Sequence, residues 1–203
     1  MPQNLTPAYD NKIYQKYSKN TLQNKEKNKI AFLQDNDLPF SKKIPLVCIT
    51  YPLTDTNNLG MITDVMNGIL EQAVQVALIG VGTKKYQEYF TGLAEKNPQK
   101  IVIVSDSDEN RRKVYAASDM ALIAADSEEC QKETEAAMGY GAVPITPPQN
   151  GVENYDPIHE KGNAFVYAKE SPWSLFANFI RAFENFRFPY DWKNIEVEAM
   201  GND

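Results

Sequence analysis

Residues 44–82 read IPLVCITYPLTDTNNLGMITDVMNGILEQAVQVALIGVG, and this stretch decides the fold. It contains two continuous apolar runs, residues 44–51 and 74–80, on either side of a helix predicted over residues 59–72, where apolar residues recur at helical spacing. Continuous apolar strands separated by helices are typical of a parallel sheet that is covered on both faces. The stretch therefore predicts a β-α-β unit of an α/β protein.

The same alternation continues through the rest of the chain. Further strands are predicted at residues 101–105, 120–124, 142–146 and 165–167, and helices at residues 21–35, 83–96, 108–117 and 126–140. Ser171 and Pro172 have the residue types of an N-cap and a first helical position, so a last helix is predicted to begin there. We expect a lead-in and flanking helix over residues 1–39, then a Rossmann-like parallel sheet with helices on both faces over residues 40–203.

The bulk composition excludes several classes of protein. The net charge is -6, with 21 basic and 27 acidic residues, which argues against nucleic-acid binding through a basic face. The N-terminus is polar, and no apolar run approaches the roughly 20 residues of a membrane span. Two cysteines, Cys48 and Cys130, are too few for a disulfide scaffold. These features predict a cytoplasmic protein without a membrane partner.

Two candidate site segments follow predicted strands. Gly80-Val81-Gly82 comes between a strand and a helix, where glycines allow a close approach of the backbone to a ligand or simply form a tight turn. Glu128 and Glu129 follow the fourth strand, where carboxylates can bind sugar hydroxyls or merely suit a helix N-terminus that Asp126 or Ser127 caps. The residues alone leave both alternatives open.

A third candidate is the loop Pro147–Gly151, whose backbone amides can face a phosphate or belong to an ordinary surface loop. The single histidine, His159, has no second histidine or cysteine at metal-ligand spacing, so neither a metal nor another cofactor is predicted. The lysine-rich segment Lys25–Lys29 is interpreted as the solvated face of the first helix.

Taken together, these segments resemble one family, the bacterial glycogen synthases and plant starch synthases. IPLVCITYPLTDTNNLG resembles the family's first strand of the C-terminal half and its Ser-Arg-Leu-Thr-x-Gln-Lys-Gly-Leu loop, and LIGVGTKKYQEYF resembles its Leu-Gly-x-Gly-x-x-x-Tyr-Glu turn. VYAASDMALIAADSEEC resembles Ile-Tyr-Ala-x-x-Asp followed by Pro-Ser-x-x-Glu-Pro-Cys, and AAMGYGAVPIT resembles Ala-Met-Arg-Tyr-Gly-x-x-Pro-Ile. The polar lead-in NLTPAYDNKIYQKYS resembles the family's inter-domain segment.

The resemblance implies the C-terminal half of a two-domain, GT-B type, retaining glucosyltransferase. Such enzymes transfer glucose from a nucleotide sugar, usually ADP-glucose, to an α-1,4-glucan without a metal, and in plants and algae they are plastid proteins. Glu128 would be the catalytic carboxylate near the donor sugar. The nucleotide sugar would contact Gly80, Gly82, Tyr115, Asn150 and Gly151. An N-terminal half, which carries the acceptor groove in the family, is an expected partner.

The chain departs from the family at the positions where the family's side chains stabilise the charge of the donor diphosphate. Pro52 and Asn57 stand at the positions of the family's Arg and Lys, Asn58 replaces the following Gly, and Glu129 replaces Pro. Cations beside a diphosphate stabilise the leaving charge, and a single oxyanion donor is worth roughly 3 kcal/mol in the transition state. We therefore expect a domain that is catalytically degenerate by itself. The alternatives are an active half completed by a separate chain and a non-catalytic module that binds a glucan or a protein.

Overall fold

The computed structural model describes residues 6–168 and 171–201. Residues 1–5 of the predicted lead-in and residues 202–203 of the predicted sheet domain lie outside those ranges. Six parallel strands form one sheet in the order β3-β2-β1-β4-β5-β6. The strands are β1 (Leu46–Ile49), β2 (Gln75–Ile79), β3 (Ile101–Val104), β4 (Met120–Leu122), β5 (Val143–Thr146) and β6 (Phe165–Val166). The Rossmann-like α/β fold predicted from the sequence is confirmed.

The described residues form seven α-helices between and around these strands. They are α1 (Lys25–Asp35), α2 (Leu59–Glu71), α3 (Lys84–Lys96), α4 (Asp108–Ala117), α5 (Glu128–Gly139), α6 (Pro172–Asn185) and α7 (Pro189–Ala199). Short 3-10 turns precede α1 at Lys19–Asn24 and α2 at Asp55–Asn57. The sequence predicted α6 as the last helix, whereas the structure has a further helix, α7, after it.

The caps of two helices follow from their first residues. The Ser171 side chain accepts a hydrogen bond from the Ser174 backbone N–H, and Pro172 occupies the first turn of α6, where no intrahelical amide donor is needed. Ser127, rather than Asp126, caps α5, because its hydroxyl accepts a hydrogen bond from the Cys130 backbone N–H. Glu128 and Glu129 consequently occupy the first turn of α5, where the helix dipole favours negative charge.

The first helix packs against α4, and two of its lysines are buried. Lys25 and Lys29 are only 5% and 4% exposed, so the interpretation of this segment as a solvated face is wrong for these two residues. The Lys25 ammonium donates to the carbonyls of Tyr115, Ala116 and Tyr140, at the ends of α4 and α5. Carbonyls at helix C-termini lack intrahelical partners, and a cation satisfies them.

The polar lead-in also belongs to the folded unit. Ile13 and Tyr17 are part of the same buried hydrophobic cluster as the sheet. Asp10 is 2% exposed, accepts a hydrogen bond from the Tyr140 hydroxyl and lies 3.5 Å from Arg112. Side-chain partners distant in sequence thus fix a segment that has almost no regular secondary structure.

The strand order places a topological switch point between β1 and β4. The chain proceeds from β1 to β2 on one side and later enters β4 on the other side. In open parallel sheets, ligands bind at the carboxyl ends of the strands beside such a point. The loops that follow β1 and β4 therefore flank the expected crevice.

Candidate functional site

The loop after β1 forms one wall of the crevice at the switch point. Its 3-10 turn begins at Thr54, whose hydroxyl accepts from the Asn57 backbone N–H, and it ends at Asn58 in the left-handed conformation with φ of 56°. Asparagine tolerates this conformation better than most side chains. Asn58 can therefore stand where the family has glycine without breaking the turn.

Asn57 ties this loop to the start of α5. Its side-chain N–H groups donate to the Pro52 carbonyl and to Glu129 Oε2, each at 3.0 Å, and its carbonyl oxygen accepts from the Ser127 hydroxyl at 2.8 Å. Asn57 is 1% exposed. A buried neutral amide and a carboxylate therefore occupy the place where the family resemblance implies a lysine, and Pro52 offers no backbone donor.

The turn after β2 packs directly on the same loop. Gly82 has φ of 150°, and a Cβ at this position would lie 2.4 Å from the Leu53 carbonyl oxygen. Leu53 donates its N–H to the Val81 carbonyl at 2.8 Å and accepts from the Thr83 N–H at 3.0 Å. The structure therefore requires glycine here for contact between two loops.

Gly80 lies beside the edge strand. A Cβ on Gly80 would meet the Ile103 side chain at 2.8 Å, and the Gly80 carbonyl accepts from Gln87 Nε2 at 3.2 Å. With Leu53 and Phe90, these residues line a hollow of about 260 Å³. The Gly80 side of the predicted site is thus a narrow hollow between β2, β3 and α3.

Glu128, the predicted catalytic carboxylate, is exposed at the first position of α5. Its carboxylate forms an ion pair with Lys132 at 2.5 Å, one helical turn further on. The hydrogen bond from Lys132 lowers the pKa of Glu128 below its usual value, so this carboxylate is ionised at neutral pH. Glu129 beside it accepts a hydrogen bond from Asn57 of the loop after β1.

Tyr115 is buried beneath the crevice and contacts other side chains. Its hydroxyl donates to Glu133 Oε2, and burial, followed by the Glu133 charge, raises the pKa of the phenol well above its usual value. Glu133 also accepts from Arg111 at 2.8 Å, and the same Arg111 nitrogen donates to the Thr50 carbonyl at the end of β1 at 2.7 Å. The predicted nucleotide contact is therefore already engaged in an Arg111–Glu133–Tyr115 network.

The sequence interpretation missed Arg111 and Glu133. A signal for Glu133 existed, because Cys130, Glu133 and Ala137 share the buried face of α5 at the helical spacing i, i+3 and i+7. Arg111 has no comparable signal, because its partners Thr50 and Glu133 lie 61 and 22 residues away in the chain.

Asn150 and Gly151 lie on the exposed loop after β5. Gly151 has φ of 76°, with open space where a side chain would be, and its carbonyl accepts from Asn163 Nδ2 at 3.0 Å. The loop lines a cleft of about 360 Å³ together with residues that include Thr134 of α5, Ala199 at the end of α7 and Met200 directly after it. Gly80 lines the other hollow, and Gly82, Tyr115 and Glu128 line neither, so the structure does not bring the predicted binding residues together in one cavity.

The charge around the crevice is predominantly paired. Lys85 lies 3.0 Å from Asp55, Arg111 lies 2.6 Å from Asp106, and Lys132 pairs with Glu128. An incoming diphosphate would have to compete with these carboxylates for each of the three cations. Charge-assisted hydrogen bonds are the strong contacts of phosphate sites.

Neither a helix that could cross a membrane nor a cluster of metal-ligating side chains is found among the described residues. No helix within residues 6–168 and 171–201 is long and apolar enough to cross a membrane. In the same part of the chain, no three histidine, cysteine or acidic side chains come together as a metal site would require.

Comparisons with known proteins point to one family. The glycogen synthase of Clostridium acetobutylicum is 30% identical over 98% of this chain, and that of Caldicellulosiruptor bescii is 32% identical over 97%. The chain spans only 43% and 42% of the length of these two relatives. No protein-family model matches the chain.

Solved structures share the fold. The catalytic domain of Starch Synthase IV from Arabidopsis thaliana, bound to ADP and acarbose, superposes with a TM-score of 0.86 at 24% identity over 98% of this chain and 43% of that one. A C-terminal domain of a glycosyl transferase group 1 family protein from Francisella tularensis gives a TM-score of 0.63 at 14% identity, covering 87% of this chain and 91% of its own. The α/β architecture is thus that of a GT-B C-terminal domain.

Proposed function

We propose that this chain is the C-terminal half of a member of the glycogen and starch synthase family, as its relatives and its fold support, and that by itself it does not transfer glucose. In this proposal the domain keeps the fold of a nucleotide-sugar-binding half but has lost the charge needed to hold a diphosphate. It acts within the glucan metabolism of its relatives as a degenerate glucosyltransferase half, in the cytoplasm or, in a plant or alga, in a plastid.

One observation carries this proposal, the hydrogen bond from Asn57 to Glu129 across the switch point. A diphosphate brings negative charge that requires cations or free N–H donors. At this place the amide donors of Asn57 are already engaged, and the acceptor that they engage is itself a carboxylate. Binding a phosphate here would break both hydrogen bonds and bring two negative charges together.

Some of the predicted site residues remain accessible to a ligand and stay part of the proposal. Glu128 is exposed and can reach a ligand in solvent, whereas the Tyr115 hydroxyl is already bound to Glu133. Gly80, Asn150 and Gly151 remain the accessible candidates for weak contact with a nucleotide sugar. We expect their backbone alone to give poor affinity, because no charge accompanies it.

Two other functions make different predictions. An active half completed by a separate N-terminal chain would gain ADP-glucose binding when that chain is added. A non-catalytic module for α-glucan would bind maltooligosaccharides without any nucleotide. Exposed aromatic side chains suit sugar rings, and Trp173 and Tyr190 are 78% and 71% exposed, which favours testing the second of these functions.

Calorimetric titration of the purified chain separates these functions. ADP, ADP-glucose, UDP-glucose and maltoheptaose are each titrated at low salt, and glucose incorporation into glycogen is measured in parallel. We expect no nucleotide binding tighter than about 1 mM and no transfer. Transfer of glucose by the isolated chain, or ADP-glucose binding in the micromolar range, would contradict the proposal.

A further inference from the structure

The chain contains two Asn-Gly pairs, Asn67-Gly68 and Asn150-Gly151. In such a pair the backbone nitrogen of the glycine can attack the side-chain amide of the asparagine, because glycine has no Cβ to hinder the approach. The attack requires a glycine nitrogen that is not held in a hydrogen bond and a backbone that can rearrange. Since the two dipeptides are identical, the tertiary structure around each pair decides which of them can react.

The pair Asn67-Gly68 lies in the interior of α2. A glycine at an interior helical position donates its N–H to the carbonyl four residues earlier, so its nitrogen is engaged. Gly68 also packs closely against α6, because a Cβ here would lie 3.1 Å from the Phe176 ring, and its carbonyl accepts from Gln72 Nε2 at 3.4 Å. Attack by this nitrogen therefore requires the helix to open first.

The pair Asn150-Gly151 forms the centre of an open turn after β5. The Val152 N–H donates to the Gln149 carbonyl at 3.4 Å across this turn. Asn163 Nδ2 holds the Gly151 carbonyl at 3.0 Å, but none of the described residues accepts a hydrogen bond from the Gly151 N–H. A Cβ on Gly151 would have no atom within 4 Å. The attacking nitrogen is thus held neither by packing nor by a hydrogen bond to the described chain.

Solvent exposure does not distinguish the two pairs. Asn67 and Asn150 are both exposed, so water and hydroxide reach both side-chain amides. The difference lies in the backbone, because a regular helix surrounds one glycine and a turn with a 3.4 Å backbone hydrogen bond contains the other. Rearrangement of the backbone disrupts α2 in the first case and only a surface turn in the second.

We propose that Asn150 is a site of spontaneous deamidation in the folded protein. The Gly151 nitrogen loses its proton and forms a bond to Cγ of Asn150. The bond from Cγ to the side-chain nitrogen breaks, and that nitrogen takes up a proton and leaves as ammonia. Water then opens the resulting five-membered succinimide at one of its two carbonyls. The products are aspartate and isoaspartate, the latter with an additional methylene in the main chain.

The modification changes the charge of the cleft that the loop after β5 lines. Among the described residues of this lining, Glu135 is the one charged side chain, and it lies beside the amides of Gln131, Gln149 and Asn150. Deamidation places a second carboxylate among them, at a residue that the family resemblance assigns to the nucleotide sugar. An anionic ligand is then disfavoured further. The covalent change itself occurs whether or not a nucleotide binds.

Mass spectrometry of the aged full chain measures the reaction at both pairs. The purified protein is incubated at mildly alkaline pH, either native or unfolded in urea. Cleavage after glutamate releases residues 136–153, in which Asn150 is the sole asparagine, and residues 27–71, in which fragmentation locates Asn67. In the native protein we expect deamidation at Asn150 to be at least about tenfold faster than at Asn67, because only the latter waits for a helix to open. In urea the two rates should be similar.

A matched pair of variants identifies the source of the acidic product. Anion-exchange chromatography of the aged native protein resolves the species with the additional negative charge. Asn150→Gln should reduce its amount at least about tenfold, because glutamine must close a less favourable six-membered ring. Asn67→Gln, at the other exposed position, should leave its amount unchanged, and circular dichroism confirms that both variants are folded. Equal native rates at the two pairs, a native rate at Asn150 more than about tenfold below its rate in urea, or an unchanged acidic species in Asn150→Gln would each overturn the proposal.

Discussion

The Asn57 side chain donates a 3.0 Å hydrogen bond to Glu129 Oε2, and this contact joins the loop after β1 to the first turn of α5. The two residues are 72 positions apart in the chain. Each replaces a residue of another type in the family resemblance, a lysine and a proline. The amide that stands in place of the lysine therefore donates to the carboxylate that stands in place of the proline.

Restoring the cations should succeed only when the carboxylate is removed as well. In Pro52→Arg with Asn57→Lys, the new lysine would pair with Glu129, so we expect little gain in ADP affinity. Adding Glu129→Pro, which α5 tolerates in its first turn, should tighten ADP binding about tenfold at low salt. Calorimetry at rising salt checks this, because screening should reduce the gain. Equal affinity of the double and triple variants would show that Glu129 does not block the site.

The contact of Gly82 with Leu53 predicts a large loss of stability on substitution. Gly82→Ala places a methyl group 2.4 Å from a backbone oxygen at φ of 150°, and we expect it to cost about 2–4 kcal/mol. Gly92→Ala, inside α3 with open space around it, should instead stabilise the protein by about 0.5–1 kcal/mol. Urea unfolding of both variants measures the difference. Similar stabilities would mean that the loops separate at little cost.

The ion pair between Arg111 and Glu133 should be strongly coupled. Arg111→Met leaves the Glu133 carboxylate, 10% exposed, without its cation, and we expect a loss of about 2–4 kcal/mol. The double variant with Glu133→Met should lose less than the sum of the single changes. Lys132→Met, which breaks an exposed pair with Glu128, should cost at most about 0.5 kcal/mol. Additive losses in the Arg111 cycle would rule out the coupling.

The Glu196 carboxyl should make stability depend on pH. Its pKa is raised to about 8 in the folded protein, so the folded state keeps a proton that the unfolded state releases above its ordinary value of 4.5. This contribution is complete below pH 4.5 and is lost as the pH rises through 8. Glu196→Gln lacks the titration, and we expect its stability relative to the native chain to rise by up to about 1 kcal/mol per pH unit between pH 5 and 8.

Charged groups near Glu196 limit the pH range over which this comparison can be made. Lys25, Lys29 and Asp119 influence it, and burial lowers the pKa of Lys25 from 10.5. We therefore restrict the comparison to the range below pH 8. Denaturant unfolding at each pH gives the free energies. Parallel curves for the native chain and the variant would show that Glu196 has an ordinary pKa.

Local sequence patterns were sufficient for most of the framework. The apolar spacing in residues 59–72 predicted α2, which runs from Leu59 to Glu71, because one face of a helix at this spacing can be buried against the sheet. The residue pair Ser171-Pro172 predicted the start of α6 for reasons of capping alone. Helix capping and apolar spacing involve residues that are only a few positions apart, so these patterns can be recognised without knowledge of the tertiary structure.

Helix α7 and the buried lysines show where such patterns fail. Trp192, Ile195 and Ala199 form a short apolar face at helical spacing, but the residues around them are too polar for the segment to stand out. Lys25 and Lys29 have the composition of a surface helix, and only the carbonyl groups and the acid that meet them from α4, α5 and the strand ends make their burial favourable.

The sequence by itself determined the α/β class, the alternation of strands and helices along the chain, and the replacement by Pro52 and Asn57 of the two cations that the family resemblance implies in the loop after β1. Only the tertiary structure decided what those replacements do. It brought Glu129 to Asn57, Glu133 to Tyr115 and Arg111, and Leu53 to Gly82. Hydrogen bonds and close contacts of this kind depend on distances between loops far apart in the chain, and those distances exist only once the parallel strands have aligned their carboxyl ends.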